Sequence, residues 1–207
     1  DLLENANPTA AIYCKTGECE IRITARAQND AEAQTMCRAY AKKFYDLLGD
    51  AVYDEDVAGL EETVVHTLRA NGLTIATAES CTGGMISGAV TSISGSSAVI
   101  ELGVCSYSNR IKHEILHVPA EVLEQFTEYS VECAAEMAKG VMELSGADYG
   151  VSTTGVAGPT GGSAEHPVGE VCIAVSGRNG CRSERFLFAQ GSADRELIRA
   201  LAAEKAL

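Results

Sequence analysis

The sequence predicts an α/β domain with a mixed β-sheet between helix layers, preceded by a small α+β unit. Three observations carry this reading. From about residue 57 onward, short apolar strand-like runs alternate with helical patterns, the signature of a sheet flanked by helices. The last two strand-like runs, 169–176 and 182–189, are joined by Gly177–Gly180 and read as a hairpin, which makes the sheet mixed. The first 56 residues instead give strand, strand and helix, and end in the acidic stretch Asp54–Asp56. The domain boundary is therefore placed near 56, dividing the chain into 1–56 and 57–207.

In the first unit, Thr9–Tyr13 and the alternating EIRITARA at 20–27 flank Lys15-Thr16-Gly17-Glu18, a turn-like tetrapeptide, and read as a hairpin. Asn29-Asp30 then caps a helix over 30–48 that stops at Gly49, and a short AVY tail at 51–53 completes the unit. The second unit opens with a helix over about 58–70, closed by Asn71-Gly72. A buried strand follows at 73–78, then a Gly-rich turn and a helix of small residues at 82–93. A strand at 98–107 leads to helices near 109–116, 119–126 and 130–145, the last opened by Ser130. The strand 147–155 runs into the Gly-rich loop AGPTGGSAEHPVGE, and a final helix starts near Ser192-Ala193-Asp194.

Composition narrows the function classes. Apolar residues make up 46% of the 207, enough for a core built mainly from Ala, Val, Leu and Ile. A formal net charge of −13 argues against a general nucleic-acid binder, which needs cations to displace phosphate counterions. Eight cysteines include no CxxC pair, and the four histidines are scattered, so no metal site is expected. No apolar stretch approaches the roughly 20 residues of a membrane span, and a cytoplasmic protein with reduced thiols is expected. The opening DLLENANPTA begins without Met and reads as the middle of a longer protein.

Chemistry concentrates in three loops that follow strands, where α/β sheets gather ligands: 79–84, 106–112 and 155–162. In ATAESCTGG the amides of Cys81, Thr82, Gly83 and Gly84 are expected near a helix N-terminus, able to cradle a phosphate or an oxyanion. Ser80 and Cys81 are both candidate nucleophiles. Neighbouring strand residues face opposite ways, so only one of them addresses a crevice, and Cys81 reads as packing. A serine needs a base. His166 is one candidate; Lys112, with Tyr107 on the same SYSNRIK segment, is the other, since a desolvated lysine can take a proton that a tyrosine hydroxyl orients. The loop TTGVAGPTGG lacks GK[ST] and GxGxxG, which disfavours a nucleoside-triphosphate or ordinary dinucleotide site.

These segments carry a resemblance. AESCTGG, GSSAVIELGVCSYSNRIK (95–112) and STTGVAGPTGGSAEHPVGEVCIAV (152–175) together resemble the C-terminal domain of the CinA family, over essentially 57–207. The first unit resembles that family's KH-like middle domain, although it has no GxxG loop, so RNA binding does not follow. The resemblance implies a cofactor-free and metal-free amidohydrolase acting on nicotinamide mononucleotide (NMN), with Ser80 as nucleophile and Tyr107 and Lys112 handling its proton. It implies oxyanion amides around Thr82 and Gly83, and nucleotide contacts from Ser96, Thr154, Gly155 and Gly158. It further implies a homodimer, and an additional N-terminal domain linked to ADP-ribose pyrophosphatase activity that these 207 residues do not contain. A catalytically silent nucleotide-binding module is the competing reading; a metal-dependent pyrophosphatase ranks last.

Overall fold

A computed structural model describes all 207 residues, which divide into two compact units, Asp1–Asp56 and Val57–Leu207. In the first, β1 (Thr9–Cys14) and β2 (Cys19–Thr24) form an antiparallel hairpin. Helix α1 (Asp30–Leu48) begins where the Asn29 side chain accepts the Glu32 amide hydrogen. A 3₁₀ turn over Gly49–Ala51 follows it and leads into the AVY tail at 51–53.

The second unit is the α/β domain that the sequence predicts. Its helices and strands run α2 (Leu60–Asn71), β3 (Ile75–Glu79), α3 (Met85–Ser92), β4 (Ile100–Cys105), α4 (Asn109–Leu116), α5 (Ala120–Phe126), α6 (Val131–Ser145), β5 (Tyr149–Gly155), β6 (Glu170–Gly177), β7 (Gly180–Leu187) and α7 (Arg195–Ala206). The sheet order is β4-β3-β5-β6-β7. β3 is parallel to β4 and β5, whereas β6 and β7 add antiparallel, so the sheet is mixed. Strand alternation sorts the core onto two sides. Ala76 and Ala78 of β3 pack against Leu116, Val118, Cys133 and Met137 on the α4–α6 side. Ile75 meets Val65 and Val90 of α2 and α3 on the other. In β6, Val171 and Ile173 join Ile198 and Ala202 of α7, while Cys172 and Ala174 lie against Ala134 and Ala138 of α6.

Two glycines set how closely α6 approaches its neighbours. A Cβ at Gly150 of β5 would sit 1.9 Å from the Ala138 carbonyl oxygen, and one at Gly140 of α6 the same distance from that of Leu116. No side chain fits either gap, so the end of α4 is drawn onto α6 and its inward face is brought over the sheet. Lys112 lies on that face, 1% exposed.

Candidate active site

The site forms at the carboxyl ends of β3, β4 and β5. Ser80 follows β3 directly, and its amide donates to the Thr153 carbonyl at 2.9 Å, extending the parallel ladder by one residue. The chain then turns rather than entering a helix, because Gly83 and Gly84 hold φ of 64° and 101°, a region side chains rarely adopt. The predicted start of α3 at 82 therefore moves to Met85.

Glu79 is what builds this turn. Its fully buried carboxylate accepts from the amides of Gly84 (2.9 Å), Ile86 (3.1 Å) and Ser87 (2.9 Å) and from the hydroxyls of Thr82 (2.7 Å) and Ser87 (2.8 Å). The donors at the start of α3 are thus satisfied internally. This corrects the expectation that Gly84 would present its amide to a ligand, and it removes Glu79 from any metal-binding role. Glu79→Gln places an NH₂ against amide donors and is expected to destabilise the domain by about 2–3 kcal/mol, read from the denaturant midpoint.

The amides of Cys81, Thr82 and Gly83 donate to no backbone or side-chain oxygen of the chain. Arg199 of α7 fixes their direction: its Nε donates to the Cys81 carbonyl at 3.0 Å and an Nη to the Thr82 carbonyl at 2.8 Å. In a trans peptide the C=O and N–H point opposite ways. Gripping those two carbonyls fixes both peptide planes, with the Thr82 and Gly83 N–H groups directed away from the guanidinium. Arg199→Ala is expected to loosen this turn and, in an ammonia-release assay, to lower kcat about 10²-fold with little change in KM, the pattern of a lost oxyanion donor.

Lys112 closes the centre. Its Nζ lies 3.0 Å from Ser80 Oγ and donates to the Ser106 carbonyl at 2.9 Å. Burial pulls its pKa below the ordinary lysine value of 10.5, against weaker upward pulls from Cys133, Glu128, Cys81 and Cys105. Glu128, in the loop between α5 and α6, feels burial pushing its carboxyl up. Its own backbone amide, Asn109, Tyr129 and the Lys112 charge outweigh this and hold it below the usual carboxylate range. Cys81 turns to the opposite side, in the cluster with Ile86 and Ile198, where burial pushes its thiol up to about 12. A thiol so buried and so weakly acidic is packing, not a nucleophile.

Other expected residues fall elsewhere. Tyr107 is 62% exposed and its hydroxyl accepts from Arg195 of α7 at 3.1 Å, not from Lys112. Successive residues after β4 alternate in direction, and it is Ser106 that is buried. Arg195 also donates to the Gly158 carbonyl at 2.8 Å, so Tyr107, Arg195 and the Gly158 loop form one group at the rim. The Thr82 hydroxyl is buried between Glu79 and Thr153, leaving only its amide for a ligand. Thr154 donates its hydroxyl to the Glu128 carbonyl at 2.5 Å and is 1% exposed. At Gly155 a Cβ would stand 2.2 Å from the Glu170 carbonyl oxygen. Thr154 and Gly155 therefore shape the end of β5 rather than present groups to a nucleotide.

Ser96 lies in the 3₁₀ turn before β4, at the opposite end of the strand from Ser106 and about 20 Å away by strand rise. The chain does not bring it to Ser80, and this expectation is corrected. His166 is bonded through Nδ1 to Glu170 (2.9 Å) and through Nε2 to Thr127 (3.3 Å), so of the two candidate bases it is Lys112 that contacts the serine. No three His, Cys, Asp or Glu side chains come together as a metal-holding group. No helix is long and apolar enough to cross a membrane.

The model of the CinA C-terminal domain matches residues 57–207, and that of the damage-inducible protein CinA KH domain matches 1–53. The chain belongs to the CinA family. A putative competence-damage inducible protein of Clostridium botulinum (strain Loch Maree / Type A3) is 43% identical over 208 residues, covering 100% of this chain and 50% of the relative. A CinA-like protein of Kosmotoga olearia is 45% identical over 176 residues, covering 84% and 43%. The chain thus spans about half the length of the CinA relatives it matches. Among solved CinA-type structures, the competence/damage inducible protein of Agrobacterium tumefaciens superposes with a TM-score of 0.69 at 39% identity, covering 75% of this chain and 93% of that one. A CinA superfamily protein of Escherichia coli gives 0.67 at 32%, covering 71% and 84%.

Proposed function

We propose that this CinA chain hydrolyses the carboxamide of nicotinamide mononucleotide, releasing ammonia and nicotinic acid mononucleotide. The observation that carries the reading is a buried lysine, its proton affinity lowered, 3.0 Å from a serine that heads a turn whose amides donate to no oxygen of the chain. Neutral Lys112 accepts the Ser80 proton as Oγ attacks the carboxamide carbon. The carbonyl oxygen, now an anion, is held by the Thr82 and Gly83 amides. Lys112 returns the proton to the departing nitrogen, the C–N bond breaks, and ammonia leaves an acyl ester on Ser80. Water then attacks the ester with Lys112 again as base, restoring the serine. The route as written draws only on side chains and amides of the chain and on water.

The rim supports a phosphate-bearing substrate. Arg195 bonds only to neutral groups, the Tyr107 hydroxyl and the Gly158 carbonyl, in a protein of net charge −13. A guanidinium without a carboxylate partner, next to a Gly-rich loop, suits a phosphate. Tyr107 then serves the nucleotide end, not the proton transfer. Arg195→Gln is expected to raise KM for NMN about 10–100-fold while changing kcat little, and to affect the phosphate-free riboside far less.

Intact-mass analysis of a rapidly quenched reaction tests the covalent route. A mass increase equal to the nicotinoyl nucleotide, mapped to the Ser80 peptide and lost in Ser80→Ala, is expected. Turnover without any adduct in a variant with slowed deacylation would contradict it.

A further inference from the structure

The sole buried side-chain oxygen or nitrogen without a hydrogen-bond partner in the whole chain is the Ser106 hydroxyl. Ser106 is wholly buried, and an unpaired buried hydroxyl costs about 1–3 kcal/mol, so it is a feature to be explained. Leu102 and Val104 of β4 pack on the α4–α6 side of the sheet, and the two-residue alternation carries Ser106 to that same side. The ladder continues there, since the Ser106 amide donates to the Glu79 carbonyl at 2.8 Å.

A second incomplete group lies beside it. A lysine ammonium has three N–H donors. Lys112, equally buried, has two partners, Ser80 Oγ and the carbonyl of Ser106 itself. One donor on Nζ and one acceptor on Ser106 are left over, on groups already joined by a 2.9 Å hydrogen bond.

We propose that Ser106 is a positioning residue whose hydroxyl, by rotation about its Cα–Cβ bond, becomes the third acceptor of the Lys112 ammonium when Lys112 carries the Ser80 proton. The hydroxyl is unpaired while the lysine is at rest and is engaged when charge develops, so it favours the intermediate over the ground state. The other titratable groups facing Lys112 are Glu128 from the α5–α6 loop, Cys133 of α6, Cys81 of the turn after β3 and Cys105 of β4. None of them hydrogen-bonds Nζ. The inference rests on Lys112 as the base, though not on which amide is cut.

Removing an acceptor used only by the charged lysine disfavours that form, so its pKa must fall. NMR titration of selectively labelled lysine, with the Lys112 signal assigned by its loss in Lys112→Met, reads this without any substrate. Ser106→Ala is expected to weaken proton binding at Lys112 about tenfold, roughly one pKa unit, with a melting temperature equal to or above wild type because no resting bond is lost. Ser106→Gly is expected to behave alike, and Ser106→Thr, which keeps the hydroxyl, to stay near wild type. In turnover, the acid limb of kcat/KM moves to lower pH by the same amount and kcat falls about tenfold. An unchanged Lys112 pKa in folded Ser106→Ala or Ser106→Gly overturns the proposal. A shifted pKa in a protein that releases no ammonia from NMN overturns the proposed reaction and leaves the Ser106 assignment standing.

Discussion

Ser80→Ala is expected to lower ammonia release from NMN by about 10³–10⁶-fold, the range seen when a nucleophile acting with its base is deleted. The fold should persist, because the Ser80 side chain makes one hydrogen bond and the turn is held by Glu79 and Arg199. Its neighbour gives the control. Cys81→Ala removes a small packed side chain and is expected to cost about 1 kcal/mol of stability, with kcat within about threefold of wild type. Activity that survives in Ser80→Ala and disappears in Cys81→Ala would assign the chemistry to the thiol. The cluster around Cys81, with its thiol pushed up to about 12, predicts the opposite.

Lys112→Met is the second large effect, and it separates stability from function. Methionine approximates the lysine stem in volume and removes a group that is costly to bury charged. Activity should fall about 10³-fold or more, while the denaturant midpoint at neutral pH stays level or rises. The pH dependence follows from the direction of the shift. Lys112 binds its proton less tightly folded than unfolded. Once pH passes the folded pKa, the native state is neutral while the unfolded chain still holds the proton until about 10.5. Wild-type stability therefore gains with rising pH across that window, and Lys112→Met lacks the gain. The acid limb of kcat/KM, read in the same range, should mark the loss of activity as Lys112 becomes protonated.

Much of this was legible in the sequence because it rests on local rules. Gly72 and Gly146 end α2 and α6 in left-handed caps, Asn29, Ser130 and Asp194 open helices, and alternation in β3 separates Ser80 from Cys81. The Ser80–Lys112 contact follows from two strand-to-helix loops meeting at one end of a parallel pair. What was not legible depends on contacts between distant segments. Nothing in ESCTGG announces that the Glu79 carboxylate will serve amides five to eight residues on. Ser96 could be excluded only once the polarity of β4 was known. Tyr107 lies exposed at the rim and Ser106 is buried because a single residue decides which side of the sheet each one faces. Arg195 and Arg199 stand four residues apart near the start of a helix, and nothing in their sequence context marks them. Only their packing against loops about 37 and 117 residues away reveals one α7 face that holds both rims of the site.

The central claim is that this CinA chain cuts the NMN carboxamide with its own serine and lysine. Incubation of the wild-type protein with NMN in excess chelator, with ammonia and nicotinic acid mononucleotide both quantified, tests it directly. The two products are expected in equal amounts, with neither formed by Ser80→Ala. Stabilisation of the protein by NMN with no ammonia released would contradict it and leave a nucleotide-binding module in its place.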